Sequence, residues 1–193
     1  MISEPTPAFG GLDHQMIETE RLLIRTFAPS DWKDMWEYLS DSVAYVFEPG
    51  EPISEEQAVA LSKERSNSKD FLAVELKQNR KVIGHLSFRQ VDRMELQTWE
   101  LGYIFNPLYQ MQGFATESVR AIVTYGFNEL HVHRIVANCN PENIASWRVL
   151  EKAGFVREGL QRKSIFFRID IDGKPIWQDT FAYAILATDV KPT

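Results

Sequence analysis

The sequence predicts an α+β protein built around a mixed, partly parallel sheet. Three features of the 193 residues carry that reading. The first part holds a short β-compatible run followed by two segments with helical signals. The middle is a succession of strand-like segments joined by short turns, the pattern of antiparallel neighbours. The last third alternates strand, helix and strand, the order that brings strands together in parallel. Such an order packs helices against a sheet over a common core.

Each element follows from its residues. Leu22, Leu23, Ile24, Thr26 and Phe27 make residues 21–27 a first strand. Pro29-Ser30-Asp31 starts a helix, in which Trp32, Met35, Trp36 and Leu39 fall at i, i+3, i+4 and i+7 to form one apolar stripe. A loop with Pro49, Gly50 and Pro52 follows. Ser54 and Gln57 have capping-box spacing, so a second helix is predicted over 55–66. Residues 71–76 read as a strand and 78–80 as a turn. Over 82–89, Val82, Gly84, Leu86 and Phe88 alternate with Ile83, His85, Ser87 and Arg89, the period of a half-buried strand. In the next strand, 97–106, Trp99, Leu101, Tyr103 and Phe105 share one face, and Glu100, Gly102 and Ile104 the other. Pro107 ends it. A helix over 115–130 buries Val119, Ile122, Val123, Phe127 and Leu130. A strand at 134–137 and a short helix at 143–152, closed by Gly154, come next. Residues 155–160 and 178–185 are the last strands, and Asp172-Gly173 is a turn within an Ile169–Ile176 hairpin or loop between them.

Composition bounds the function. Hydrophobic residues make up 44% and charged residues 25%, ordinary for a globular chain. The formal net charge of −6 argues against a general nucleic-acid binder, which shows a basic face. One cysteine, Cys139, excludes an intramolecular disulfide framework and points to a reducing compartment. No metal is expected: His14, His85, His131 and His133 include one close pair and no Cys partner or HExxH motif. The start lacks the basic-then-apolar order of a secretory signal. No apolar stretch reaches the roughly 18 residues of a membrane span. The expectation is a cytoplasmic protein with no membrane or nucleic-acid partner. Residues 1–17 form a flexible arm, 18–188 one domain and 189–193 a short tail.

Two segments carry chemistry. Gln110-Met111-Gln112-Gly113-Phe114-Ala115 lies between a strand and a helix. Backbone N–H groups at such a helix start converge on one spot, and the helix dipole adds positive charge there. Gly113 lets a phosphate approach closely, and small Ala115 leaves room beside it. The pattern Q-x-x-G-x-A matches neither a nucleotide P-loop nor a dinucleotide fingerprint, and alone it is equally a loop shaped by one glycine. Glu117, in the helix's first turn, should turn its carboxylate away from an anion. About 30 residues on, residues 138–155 form a strand end, a polar loop and a short helix on which Asn143 and Ser146 share a face. Asn143 is equally an N-cap.

Together these segments resemble the GNAT acetyltransferase superfamily. Gln110, Gly113 and Ala115 match its Q/R-x-x-G-x-G/A motif. The N-x-x-S of Asn143 and Ser146, the closing Glu151-Lys152-x-Gly154-Phe155, the opening Glu20-Arg21-Leu22-Leu23-Ile24-Arg25, the Glu100-x-Gly102-Tyr103 strand and Tyr183-Ala184-Ile185-Leu186 resemble its ribosomal-protein N-acetyltransferase branch. The likeness spans residues 18–188. It implies a strongly twisted mixed sheet with splayed central parallel strands, and acetyl-CoA as cosubstrate. Backbone N–H groups of Met111, Gln112, Gly113, Phe114, Ala115 and Thr116 would take the pyrophosphate. The pantetheine would pair as a pseudo-strand with Tyr103, Ile104 and Phe105, bordered by Asn138, Asn143 and Ser146.

The resemblance also implies direct transfer to an amine, with the oxyanion held by a backbone N–H near Phe105. Glu100 is the leading base, and His85 on the adjacent strand its rival. Where relatives carry a Tyr that protonates the leaving thiolate, this chain has Leu150, and the resemblance leaves Ser146 to hydrogen-bond the CoA sulfur or the pantetheine instead. Most of the aromatics belong to the core. The exception is the loop over 45–52, where Phe47, Glu48 and Glu51 could wall an ammonium-bearing substrate. The expected acceptor is a protein N-terminal α-amine, whose pKa of about 7.7–8.0 asks less of a base than a lysine. A small-molecule amine is the alternative, and a non-catalytic acyl-CoA-binding module a further one. A homodimer is implied by family resemblance alone.

Overall fold

The structure, a computed structural model, describes residues 16–190. Its strands are β1 (Ile17–Glu18), β2 (Leu22–Thr26), β3 (Phe71–Leu76), β4 (Lys81–Val91), β5 (Thr98–Phe105), β6 (Arg134–Cys139), β7 (Val156–Ile169) and β8 (Pro175–Leu186). Helices α1 (Trp32–Leu39), α2 (Glu55–Ser66), α3 (Phe114–Asn128) and α4 (Ile144–Lys152) flank them. All strands join one eight-stranded sheet in the order β1-β2-β3-β4-β5-β6-β8-β7. Every pairing is antiparallel except β5 with β6. The expected mixed sheet is therefore present. The predicted arm over 1–17 lies outside the described residues up to 15; Ile17 pairs with Ile24. Residues 191–193 of the expected tail also lie outside them.

Side-chain alternation feeds two cores. Leu22, Ile24, Leu72, Val74 and Phe88 meet Val119, Ile122 and Leu150 on the α3–α4 side. On the other side Ala73 and Val82 meet Met35, Tyr38 and Leu39 of α1 and Tyr45 beyond it. β4 departs from the half-buried strand predicted for it. Val82, Ile83, Gly84, His85 and Leu86 are all buried, because helices cover both faces. A bulge opposite Val74/Glu75 also shifts the alternation, so that Ile83 joins Leu86 and Phe88 on the α3–α4 side. The stripe predicted for α1 is rotated. Met35, Tyr38 and Leu39 are buried, whereas Trp36 is 38% exposed. Tyr38 takes the inward place because its hydroxyl finds the His85 Nδ1 at 2.9 Å.

α2 begins and ends as its cap signals dictate. Ser54 Oγ accepts from the Gln57 N–H and Gln57 Oε1 from the Ser54 N–H, at 3.3 and 2.7 Å. Beneath it, Arg25 donates to Asp31 and Glu75, at 2.8 Å in each case. Glu75 is 1% exposed and also pairs with Arg80. The last two strands run well past their predicted ends, as a long hairpin turned at Asp170–Gly173. β7 is the sheet edge and is solvated along nearly its whole length. Among the described residues no helix is long and apolar enough to cross a membrane.

Candidate active site

β5 and β6 pair in parallel over only three positions, Thr98 with Arg134, Trp99 with Ile135 and Glu100 with Val136. Beyond Glu100 the two strands diverge. β5 stays bound to β4 as far as Phe105, and β6 stays bound to β8 as far as Cys139. The main chain of β5 from Leu101 to Phe105 thus has strand pairing on one side only. The gap opens toward the carboxyl ends of the parallel pair, where open α/β sheets bind ligands.

The loop over residues 110–113 stands between β5 and α3. Gly113 is the N-cap of α3 in the left-handed region (φ 85°), with no side chain capping the helix. The first-turn N–H groups of a helix have no intrahelical partner, so they face outward here without a competing cap. Met111 also takes positive φ (59°) and is 95% exposed. Arg21 organises this loop: its guanidinium donates to the Gln112 carbonyl at 3.0 Å and stacks on the Phe114 ring at 4.4 Å. The sequence offered Arg21 only as part of a strand and a motif, because nothing local shows that it reaches residues about 90 positions away. The Glu117 carboxylate turns toward Thr19 and Arg21, with Arg21 Nε at 2.7 Å. Burial alone would raise its pKa, but hydrogen bonds from Thr19 and from the Arg21 N–H and guanidinium outweigh that and hold it below the usual carboxylate range. A cleft of about 800 Å³ runs along α3 from Gly113 past Thr116 and Arg120 to Lys152.

Side chains meet across the diverging strands. Tyr103 of β5 donates its hydroxyl to the Ser146 carbonyl at 2.9 Å and lies 3.0 Å from Ser146 Oγ. Burial pushes the Tyr103 phenol well above its ordinary pKa. Cys139, the last residue of β6, is buried, and burial pushes its thiol up to about 11. Asn143 caps α4, its Oδ1 accepting from the Ser146 N–H at 3.1 Å. Asn138 is exposed, on the face of β6 opposite Cys139. Ile104 packs toward the α1–α2 core and Phe105 toward the α3–α4 core. Leu150 is 1% exposed, a core residue with no proton to offer.

The two base candidates are both engaged. Glu100 accepts from Arg89 Nη2 at 2.7 Å and from its Nε at 3.2 Å. His85 is enclosed by Phe27, Tyr38 and Phe71, and burial, aided by Arg65, drives its pKa well below the ordinary value. It is a neutral core histidine. A third carboxyl, Glu48, lies in the loop between α1 and α2. Burial raises its pKa to about 7, and its charge bears on both Tyr103 and Cys139. Among the described residues no three His, Cys, Asp or Glu gather as a metal site.

Comparison with known proteins gives this arrangement its relatives. A family model for an acetyltransferase (GNAT) domain matches residues 21–156. The uncharacterized N-acetyltransferase YnaD of Bacillus subtilis is 41% identical over 171 residues, 88% of this chain and 96% of that one. The ribosomal protein uS5-alanine N-acetyltransferase of Escherichia coli is 25% identical over 187 residues, 91% of this chain and 93% of that one. The crystal structure of an acetyltransferase (GNAT family) from Bacillus anthracis superposes with a TM-score of 0.82 at 37% identity, covering 90% of this chain and 99% of that one.

Proposed function

Because this chain belongs to the GNAT acetyltransferase family, we propose that it transfers acetyl from acetyl-CoA directly to a primary amine, foremost the α-amine of a protein N-terminus. The observation that carries the reading is the break in the β5–β6 ladder after Glu100, beside an uncapped helix N-terminus. In this reading the N–H groups of residues 111–116 hold the pyrophosphate, where the α3 dipole favours anions. The pantetheine amides pair with the free edge of residues 103–105 and replace the missing strand. Ser146 and Asn138 flank the arm, and Asn143 acts by holding the first turn of α4. The N–H near Phe105 receives the oxyanion.

The hydroxyls of Tyr103 and Ser146 take the place of the tyrosine absent at Leu150. They form one linked pair at the start of α4, able to pass a proton to the leaving thiolate. A thiol of pKa about 8.5 is a tolerable leaving group, so modest acid assistance suffices. The uS5-alanine N-acetyltransferase relative supports a protein N-terminus as acceptor. The mouth of the gap, open between the ends of β5 and β6, would admit an extended chain end.

The test is acetyl-CoA turnover followed by thiol release, with ribosomal proteins in one arm and polyamines, amino sugars and amino-acid derivatives in the other. The expected result is a 42 Da gain, the mass of one acetyl replacing one hydrogen, on a protein N-terminus by intact-mass analysis. Turnover with small amines alone overturns the acceptor assignment. CoA binding without turnover on any amine overturns catalysis.

A further inference from the structure

Building on the acetyltransferase reading above, we propose that Arg21 is the positioning residue of the pyrophosphate site. It sets the shape of the 110–113 loop and of the first turn of α3, and with it the preference for a thioester that carries a pyrophosphate. Its guanidinium is shared among three partners on those two elements. Nη1 donates to the Gln112 carbonyl at 3.0 Å, 91 positions away in sequence. Nε and Nη2 both reach Glu117 Oε2, at 2.7 and 2.6 Å. The guanidinium carbon lies 4.4 Å from the centre of the Phe114 ring. The backbone that carries this side chain is itself fixed. The Arg21 carbonyl accepts from the Lys77 N–H at 2.9 Å, and the Arg21 N–H donates to Glu117 Oε1 at 3.1 Å.

Each contact has a consequence for an anion. The peptide between Gln112 and Gly113 is trans, so its C=O and N–H lie on opposite sides of the chain. The grip on the Gln112 carbonyl therefore turns the Gly113 N–H away from Arg21 and fixes one donor of the loop. Met111, one residue earlier, takes positive φ (59°). A non-glycine residue keeps that conformation only where its surroundings hold it, and the bond to the next residue's carbonyl is part of the hold. The pairing with Glu117 removes a conflict. Glu117 lies in the first turn of α3, where a free carboxylate would repel a bound pyrophosphate. Its Oε1 accepts from Thr19 Oγ1 at 2.5 Å and from the Arg21 N–H, and its Oε2 from the guanidinium, so both oxygens are committed to the segment between β1 and β2.

The chemistry of the side chain matters as much as its charge. A planar guanidinium can pair with a carboxylate, bond a carbonyl and stack on a ring at once, whereas a lysine ammonium is a point charge that neither forks nor stacks. The next cation along the α3 cleft does a different job. Arg120 donates to the Lys152 carbonyl at 2.6 Å, which braces the end of α4 and touches no residue of the loop. Among the described residues it is therefore Arg21 that joins the β1–β2 edge of the sheet to the loop and to the helix start.

The experiment compares acetyl-CoA with S-acetylpantetheine, the same thioester without pyrophosphate or nucleotide, by thiol release in wild type, Arg21→Met and Arg21→Lys. Wild type should use acetyl-CoA at a far lower KM. Arg21→Met keeps an apolar stem over Phe114 but no donor. It should raise the acetyl-CoA KM about 30-fold, the scale of lost charged hydrogen bonds, with kcat within about twofold. Its turnover of S-acetylpantetheine should stay as in wild type, because that thioester never engages the loop. Arg21→Lys should show the same split at a smaller size, which keeps the test available if Arg21→Met does not fold. In either variant, an acetyl-CoA KM as in wild type, or equal losses on both thioesters, overturns the assignment. A wild type that uses both thioesters equally well overturns it too and leaves acetyl transfer intact. A wild type that releases thiol from neither, with any amine, overturns the acetyltransferase reading instead.

Discussion

Tyr103 spans from β5 to α4 by side chain alone, and among the described residues its hydroxyl bonds to Ser146. Removing that oxygen in Tyr103→Phe leaves the ring packing in place. It should lower kcat about 10- to 100-fold, the lower part of the range for a positioned acid, with little change in CoA affinity measured by calorimetry. Glu48 adds a signature in stability that no activity assay reads. Its folded pKa of about 7 lies above the value of about 4.3 for an unfolded glutamate. Between those values the folded protein binds more protons than the unfolded chain, so this group's contribution falls as pH rises. Glu48→Gln should therefore gain thermal stability over wild type above pH 7, and the difference should vanish near pH 4. A difference independent of pH would show that the carboxyl is not desolvated in the fold.

The α1–α2 loop and the β7–β8 hairpin act on each other through one contact, Arg168 on the Tyr45 carbonyl. Arg168→Ala should loosen the loop between α1 and α2, read as faster hydrogen exchange of its amides, while CoA affinity stays as in wild type. At α2, Ser54→Ala should cost about 1 kcal/mol, read from denaturant unfolding, since it removes a capping hydroxyl. That helix was legible to the residue because Ser54 and Gln57 encode its start locally. The phosphate loop was legible for the same reason: Gly113 sits where a strand gives way to a helix. The turn of the last hairpin was legible at Asp172-Gly173, but the length of its strands was not. β7 is solvated on both faces, so Gln161, Arg162, Lys163 and Ser164 lie inside a strand with no alternation to betray it. Glu48 lay in a loop flagged for its Phe47, Glu48 and Glu51, but its partial burial comes from the folded chain, which no local pattern records. In α1, Trp36 was counted inward by hydrophobicity, whereas the partner of the buried His85 chose Tyr38.

At the scale of the whole molecule, the sheet is two pieces, β1 to β5 and β6 to β8, joined by three parallel residue pairs and by helices α3 and α4. A ligand seated in the gap stabilises the folded state by mass action, about 2.7 kcal/mol at 100 times its dissociation constant. Saturating CoA should thus raise the unfolding midpoint by several degrees. Gly113→Val should abolish most of that rise: a β-branched residue at φ 85° is strained by about 1–2 kcal/mol, and its Cβ would meet Arg21 Nη2 at 3.4 Å. An undiminished rise would remove the loop from the binding site. The short ladder gives the cosubstrate a second role, as a keystone. With the gap empty, the amides of residues 101–105 on the unpaired edge should exchange with deuterated solvent quickly, and the two arms should breathe about the three-pair joint. Once the arch is filled those amides should fall silent together. Limited proteolysis should accordingly cut the chain more slowly with the cosubstrate bound than without it.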